Sequence, residues 1–116
     1  MTSPTPAPSR PEAADLAALY DAVVTEHATI YGYGIVSAHS TPADNPLVAE
    51  AMRTHRAQRE QAIELLKKHS VTPPIAAVGY QLPIPVDGPT GAANLAVRME
   101  NDAAVAWRAV LAQATR

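Results

Sequence analysis

Apolar and amphipathic side chains recur at helical spacing through three long stretches of the chain. In the first they fall at Leu16, Leu19, Tyr20, Val23, His27, Ile30, Tyr31 and Gly34, the i, i+3, i+4 rhythm of one helix face. The segment SRPE supplies a start: Ser9 as cap, Pro11 in the first turn, Glu12 three residues after the cap. Together they predict a helix over about residues 11–39. A second stripe, Val48, Ala51, Met52, His55, Arg59, Ala62, Ile63 and Leu66, predicts a helix running to about His69. Thr41 with Pro42, or Asn45 with Pro46, would start it. A third stripe, Leu95, Ala96, Met99, Ala103, Trp107, Val110 and Leu111, predicts a helix from near Thr90 toward the C-terminus. Gly32 and Gly34 lie inside the first helix, where each costs roughly 1 kcal/mol against alanine. Close approach of a neighbouring helix is the expected reason for both, with a functional kink as the alternative.

What joins the second stripe to the third is neither helix nor strand in pattern. Residues 70–89 hold five prolines, a poor helix and a poor central strand. Helices in simple bundles are joined by about 2–8 residues. In extended polyproline geometry a link of this length spans roughly 60 Å at about 3.1 Å per residue. The second helix, at about 1.5 Å per residue, is roughly 36 Å long. The link can therefore return the chain along the whole bundle, as the single long crossover of ferritin-like bundles does. Ile75, Val78, Tyr80, Leu82, Ile84 and Val86 would then lie on the outside of the helices. The Pro-, Ser- and Thr-rich residues 1–10 are expected to be a disordered tail, leaving residues 11–116 as one helical domain.

Composition narrows the function classes. With 116 residues, 47% apolar and 17% charged, the chain has the balance of one globular domain. The absence of phenylalanine and the abundance of alanine suit closely packed helices better than a sandwich. A net charge of −2 without a dense basic block argues against a nucleic-acid partner. The absence of cysteine removes disulfides, thiolate metal sites and a Cys nucleophile. No segment has the apolar length of a signal peptide or a membrane span, so the expectation is a soluble cytoplasmic protein without membrane contact. Neither a Gly-rich phosphate loop nor a G-x-S-x-G motif is present.

The segments EHATIYGYG (26–34), HRAQR (55–59), YQLPIPVDGP (80–89) and LAVRMENDAAVAWRAVLA (95–112) occur in one order across most of residues 15–112. As a group they resemble the actinobacterial ferritin-like domain family, whose members mostly have no assigned function. The resemblance implies an all-α, ferritin-like four-helix bundle and no established activity. Only three helices are predicted here, so the fourth would be missing or supplied by a partner.

That resemblance sharpens a question set by Glu26, a carboxylate on the buried stripe of the first helix. Ferritin-like di-iron proteins use one Glu from each of two helices and a Glu-x-x-His from each of the other two. His55 lies on the inner stripe of the second helix and Glu100 leans toward that of the third. Counted from one end of the bundle, the three fall at similar depth. A set of Glu26, His55 and Glu100 could hold iron or another divalent metal, although no cofactor is required by the pattern. A Glu-x-x-His on the second helix would need an acid at position 52, which is Met52, so a standard di-iron centre and a redox enzyme are not expected. Two other answers stay open. Glu26 can belong to a polar core network with His55, Arg59 and Glu100, which would fix helix register, or its charge can reach solvent. His27 reads as a half-buried amphipathic residue, the tyrosines as packing residues with satisfied hydroxyls, and Trp107 as a core anchor. The function expected is a helical module, non-catalytic, acting by self-association or by binding a partner. Its open side would show the third-helix stripe of Met99, Ala103, Val110 and Leu111, most simply to a second copy in a twofold dimer.

Overall fold

The computed structural model describes residues 7–114. They form three helices, α1 (Ala14–His39), α2 (Asn45–Lys68) and α3 (Pro89–Ala114), with no strand among the described residues. No helix among them is long and apolar enough to cross a membrane. Of the predicted N-terminal tail, residues 1–6 lie outside the described residues. Arg10 folds back on α1, its guanidinium donating to both carboxylate oxygens of Asp21.

The helix ends follow local chemistry. α1 begins three residues later than the SRPE pattern predicts: Ser9 does not cap it, and Ala13 stands at the cap position without a side-chain bond. Asp15 serves the first turn instead, accepting the Leu16 N–H at 2.8 Å and placing a negative charge at the positive end of the helix. α2 starts from the second of its two predicted options, with Asn45 and Pro46 in its first positions. Its C-terminus is a Schellman motif. Ser70 takes the left-handed position usual for glycine, with φ of 61°. The Ser70 N–H bonds Lys67 O and the Val71 N–H bonds Leu66 O, each at 2.9 Å. Val71 and Leu66 meet in one apolar cluster, which completes the motif. Proline opens α3 at Pro89, where a missing N–H costs nothing.

α1 is the central helix. α2 and α3 both pack on it, whereas their own Cα atoms stay more than 8 Å apart along their whole length. α2 and α3 each run antiparallel to α1, so they are parallel to each other. Residues 69–88 carry the chain from the end of α2 back to the start of α3. They pass over α1: Pro74 O accepts from His27 Nε2 at 3.0 Å, and Tyr80 stacks obliquely on Tyr31. Leu82, Ile84 and Val86 then pack against the core, while Ile75 and Val78 face solvent. The long crossover therefore exists, but half of its apolar residues cover the core rather than lying outside it. Gly32 fits the predicted close approach, since a Cβ there would lie 2.1 Å from Met99 Sδ on α3. Gly34 does not, because nothing lies within 4 Å of such an atom.

The core is divided along the bundle. One cluster gathers Tyr33, Val36, Val48, Ala92, Leu95 and Met99; the other gathers Leu19, Val23, Ala62 and Leu66, flanked by Trp107 and Val110. A layer of polar side chains lies between them.

A buried carboxylate–imidazole network between three helices

The polar layer is built around Glu26, which is fully buried at 0% exposure. His55 of α2 meets it: the Nδ1–H donates to Oε1 and Oε2 at 3.0 and 2.7 Å. The other ring nitrogen, Nε2, donates to Glu100 Oε2 of α3 at 2.7 Å. Sequence reasoning placed these three side chains at one depth, and the fold brings them into a single line. It also adds Tyr33, which lies off the predicted stripe, and Trp107, which the stripe marks only as a packing residue. The Tyr33 hydroxyl donates to Glu100 Oε2 at 2.5 Å, and Trp107 Nε1–H donates to Glu26 Oε1 at 3.2 Å. Tyr33 stacks on the His55 ring, with centroids 5.6 Å apart.

The two additions had a signal. Tyr33 follows Glu26 by seven residues and Trp107 follows Glu100 by seven, two turns on the same face. Because α1 and α3 are antiparallel, each carboxylate meets the donor two turns along the opposite helix. The result is a reciprocal brace, Glu26 with Trp107 and Tyr33 with Glu100, closed across α2 by His55.

Arg59 is not part of it, contrary to the expected network. Its Nε donates to Glu60 on the same helix at 2.9 Å, and no ion pair joins it to Glu26 among the described residues. Arg98 likewise pairs with Asp102, four residues along its own helix. Nor does Glu26 reach solvent. His27 is buried rather than half-buried; its Nδ1 has no hydrogen-bond partner among the described residues.

Charge follows from geometry. With a carboxylate on each side, both ring nitrogens of His55 act as donors, which requires imidazolium. The hydrogen bond to Glu26 raises His55 most; burial opposes it, the Glu100 bond adds to it, and the pKa stands at about 9. Burial raises Glu100, but the hydrogen bonds from Tyr33 and His55 outweigh it and hold the group below its ordinary value. Burial first, and then the Glu100 bond, push the Tyr33 hydroxyl upward. The network thus sets the His55 imidazolium between two carboxyl groups. Glu26 is sealed inside, whereas the Glu100 side chain is 51% exposed and lines an open groove of about 520 Å³ between α2 and α3. Tyr33, Leu47, Ala51, His55 and Val97 line the same groove.

The three predicted ligands do not fit a single ion. They flank opposite edges of the imidazole, and no group of three His, Asp or Glu side chains converges among the described residues.

The chain is thus a three-helix, all-α domain with a carboxylate–imidazole–carboxylate line in its core. It belongs to the family described as a domain of unknown function (DUF4439), which matches residues 18–116. It is similar to the crystal structure of a conserved hypothetical protein, rv2844, from Mycobacterium tuberculosis. The two are 59% identical with a TM-score of 0.86, over 89% of this chain and 72% of that one. No curated protein matches the chain.

Proposed function

We propose that this chain is a ferritin-like helical module of an actinobacterial family, non-catalytic, that works by self-association across the side between α2 and α3. The observation that carries this reading is the separation of α2 from α3. Two parallel helices flank the groove with their Cα atoms more than 8 Å apart, bridged by the His55–Glu100 bond, and apolar side chains stand exposed on both banks, Leu47 at 73% and Val97 at 62%. Apolar surface arranged along a groove marks an interaction site. The long crossover from α2 to α3 is the connection that ferritin-like bundles use. In that architecture a fourth helix lies where the groove is. Light scattering coupled to size exclusion tests the reading. A dimer at micromolar concentration is expected, and a concentration-independent species near the 12.2 kDa of the chain would overturn it.

A second reading, binding of iron or another divalent metal, is favoured by one observation. Glu26 holds the Nδ1 edge of His55 and turns Nε2 toward Glu100, the way buried carboxylates orient metal-ligating imidazoles. His55 and Glu100 would be the ligands and Glu26 their support, with the remaining donors drawn from whatever covers the groove. Metal analysis of untagged protein tests it; a chain purified free of iron and unable to take up added Fe(II) would defeat it.

A further inference from the structure

One face of α3 stands largely uncovered among the described residues, with only Glu100 bonded to the other helices. Val97, Glu100, Asn101, Ala104, Arg108 and Leu111 are all exposed. At 3.6 residues per turn they fall within about 100° of one another on the helix. The expected contact stripe of Met99, Ala103, Val110 and Leu111 is displaced from this face. Met99 and Ala103 are buried in the core, and Val110 packs beside Trp107 against the lower cluster. Only Leu111, at 63% exposure, belongs to the outer stripe.

Four residues of the outer stripe are placed symmetrically about Ala104, while Asn101 has no counterpart on the stripe, its mirror position being Trp107. Val97 and Leu111 lie equally far to either side of it, and so do Glu100 and Arg108. Apolar residues thus mirror apolar ones, and the acid mirrors the base. Such a face is complementary to itself when a second copy lies antiparallel, the condition for an isologous interface. Both charged members have capacity to spare. The two protein donors to Glu100 both go to Oε2, which leaves Oε1 without a donor among the described residues. The Arg108 guanidinium makes one long bond, from Nε to Ala104 O at 3.4 Å. A carboxylate oxygen with no donor of its own is an acceptor for a cationic partner. A small residue at the centre lets two helices approach closely.

Resting on the self-association reading, we propose that two copies pair through α3, antiparallel about a twofold axis at Ala104. The Glu100 of each copy faces the Arg108 of the other, and Val97 faces Leu111.

The chain lacks cysteine, so single-cysteine variants report the pairing directly. Packed helices lie about 8–10 Å apart, and with Cα atoms about 2.3 Å from each axis two Cα atoms at the twofold come within about 4–5 Å. That distance suits a disulfide. Ala104→Cys is expected to form a disulfide dimer under mild oxidation at least tenfold faster than Ala109→Cys, which lies off the stripe. Arg108→Glu, which sets acid against acid twice, is expected to raise the dimer dissociation constant at least tenfold with the far-UV circular dichroism unchanged. A dimer that forms without preferential disulfide at position 104, or that tolerates Arg108→Glu, overturns the α3 pairing and leaves self-association standing. A monomer at every concentration overturns both.

Discussion

Glu26 holds two helices through one carboxylate: its oxygens take the His55 Nδ1–H and the Trp107 Nε1–H. Glu26→Ala strands both donors, one of them charged, in a dry layer. Removing one partner of a buried pair costs about 3–5 kcal/mol, and a chemical-denaturation curve should read a loss of that order. Glu26→Gln keeps the shape and an acceptor and should lose less, while a loss below about 0.5 kcal/mol for both would be surface behaviour. The pH profile separates charge from shape. His55 is raised from 6.5 to about 9, so its stabilisation is complete below about 6.5 and is lost as pH rises toward 9. Glu100 is lowered from 4.5, so its contribution is present above about 4.5 and is lost as pH falls through its depressed value. Thermal melts should therefore peak between about 4.5 and 6.5. In Glu26→Gln the alkaline decline should still begin near 6.5 but be smaller and end at a lower pH, since the largest cause of the His55 shift is gone. An unmoved alkaline limb would show that Glu26 does not hold the imidazolium.

Each helix was legible from its apolar rhythm, and the edges of legibility have particular causes. The start of α1 was misplaced because SRPE offers a good cap that Ala13 and Asp15 pre-empt. His55 was found because it sits on an otherwise apolar stripe. Trp107 and Tyr33 were not, because an aromatic residue on or beside such a stripe reads as packing, and its hydroxyl or indole N–H matters only once the opposing helix is placed. Arg59 shares the stripe and depth of His55, which points it to the core network, yet its neighbour Glu60 satisfies it on the same helix. Periodicity shows which face is buried; it does not show which residue of another helix comes opposite. The two glycines of α1 had the same signature and differ for this reason. Gly32→Ala would drive a Cβ against Met99 Sδ, on the flexible end of an unbranched side chain, so the overpacking cost should fall at the low end of about 1–3 kcal/mol. Gly34→Ala meets nothing and should gain about 0.5–1 kcal/mol from the stiffer unfolded chain. Paired denaturation curves check both, and equal signs would contradict the packing of α1 against α3.

At the scale of the molecule, α1 and α2 are neighbours in sequence and α3 is not. Residues 40–44 join the first two helices, and Glu26 meets His55 across 29 positions. The bonds that tie α3 to α1 span 67 and 81 positions. Closing those longer loops costs chain entropy that grows with the logarithm of their length, and the crossover must thread past His27 and Tyr31 on the way. An order of assembly follows from that tether. The α1–α2 hairpin can form from local contacts, its Glu26–His55 pair already made, while α3 arrives last with Trp107 and Glu100 in hand. By the same reasoning α3 should be the first element to leave. Native-state hydrogen exchange should find the amides of α3 opening at lower free energy than those at the α1–α2 contact, and uniform protection across all three helices would rule this out. With that order of opening, the third helix would act as a removable lid on a two-helix cradle, leaving the pair beneath it folded.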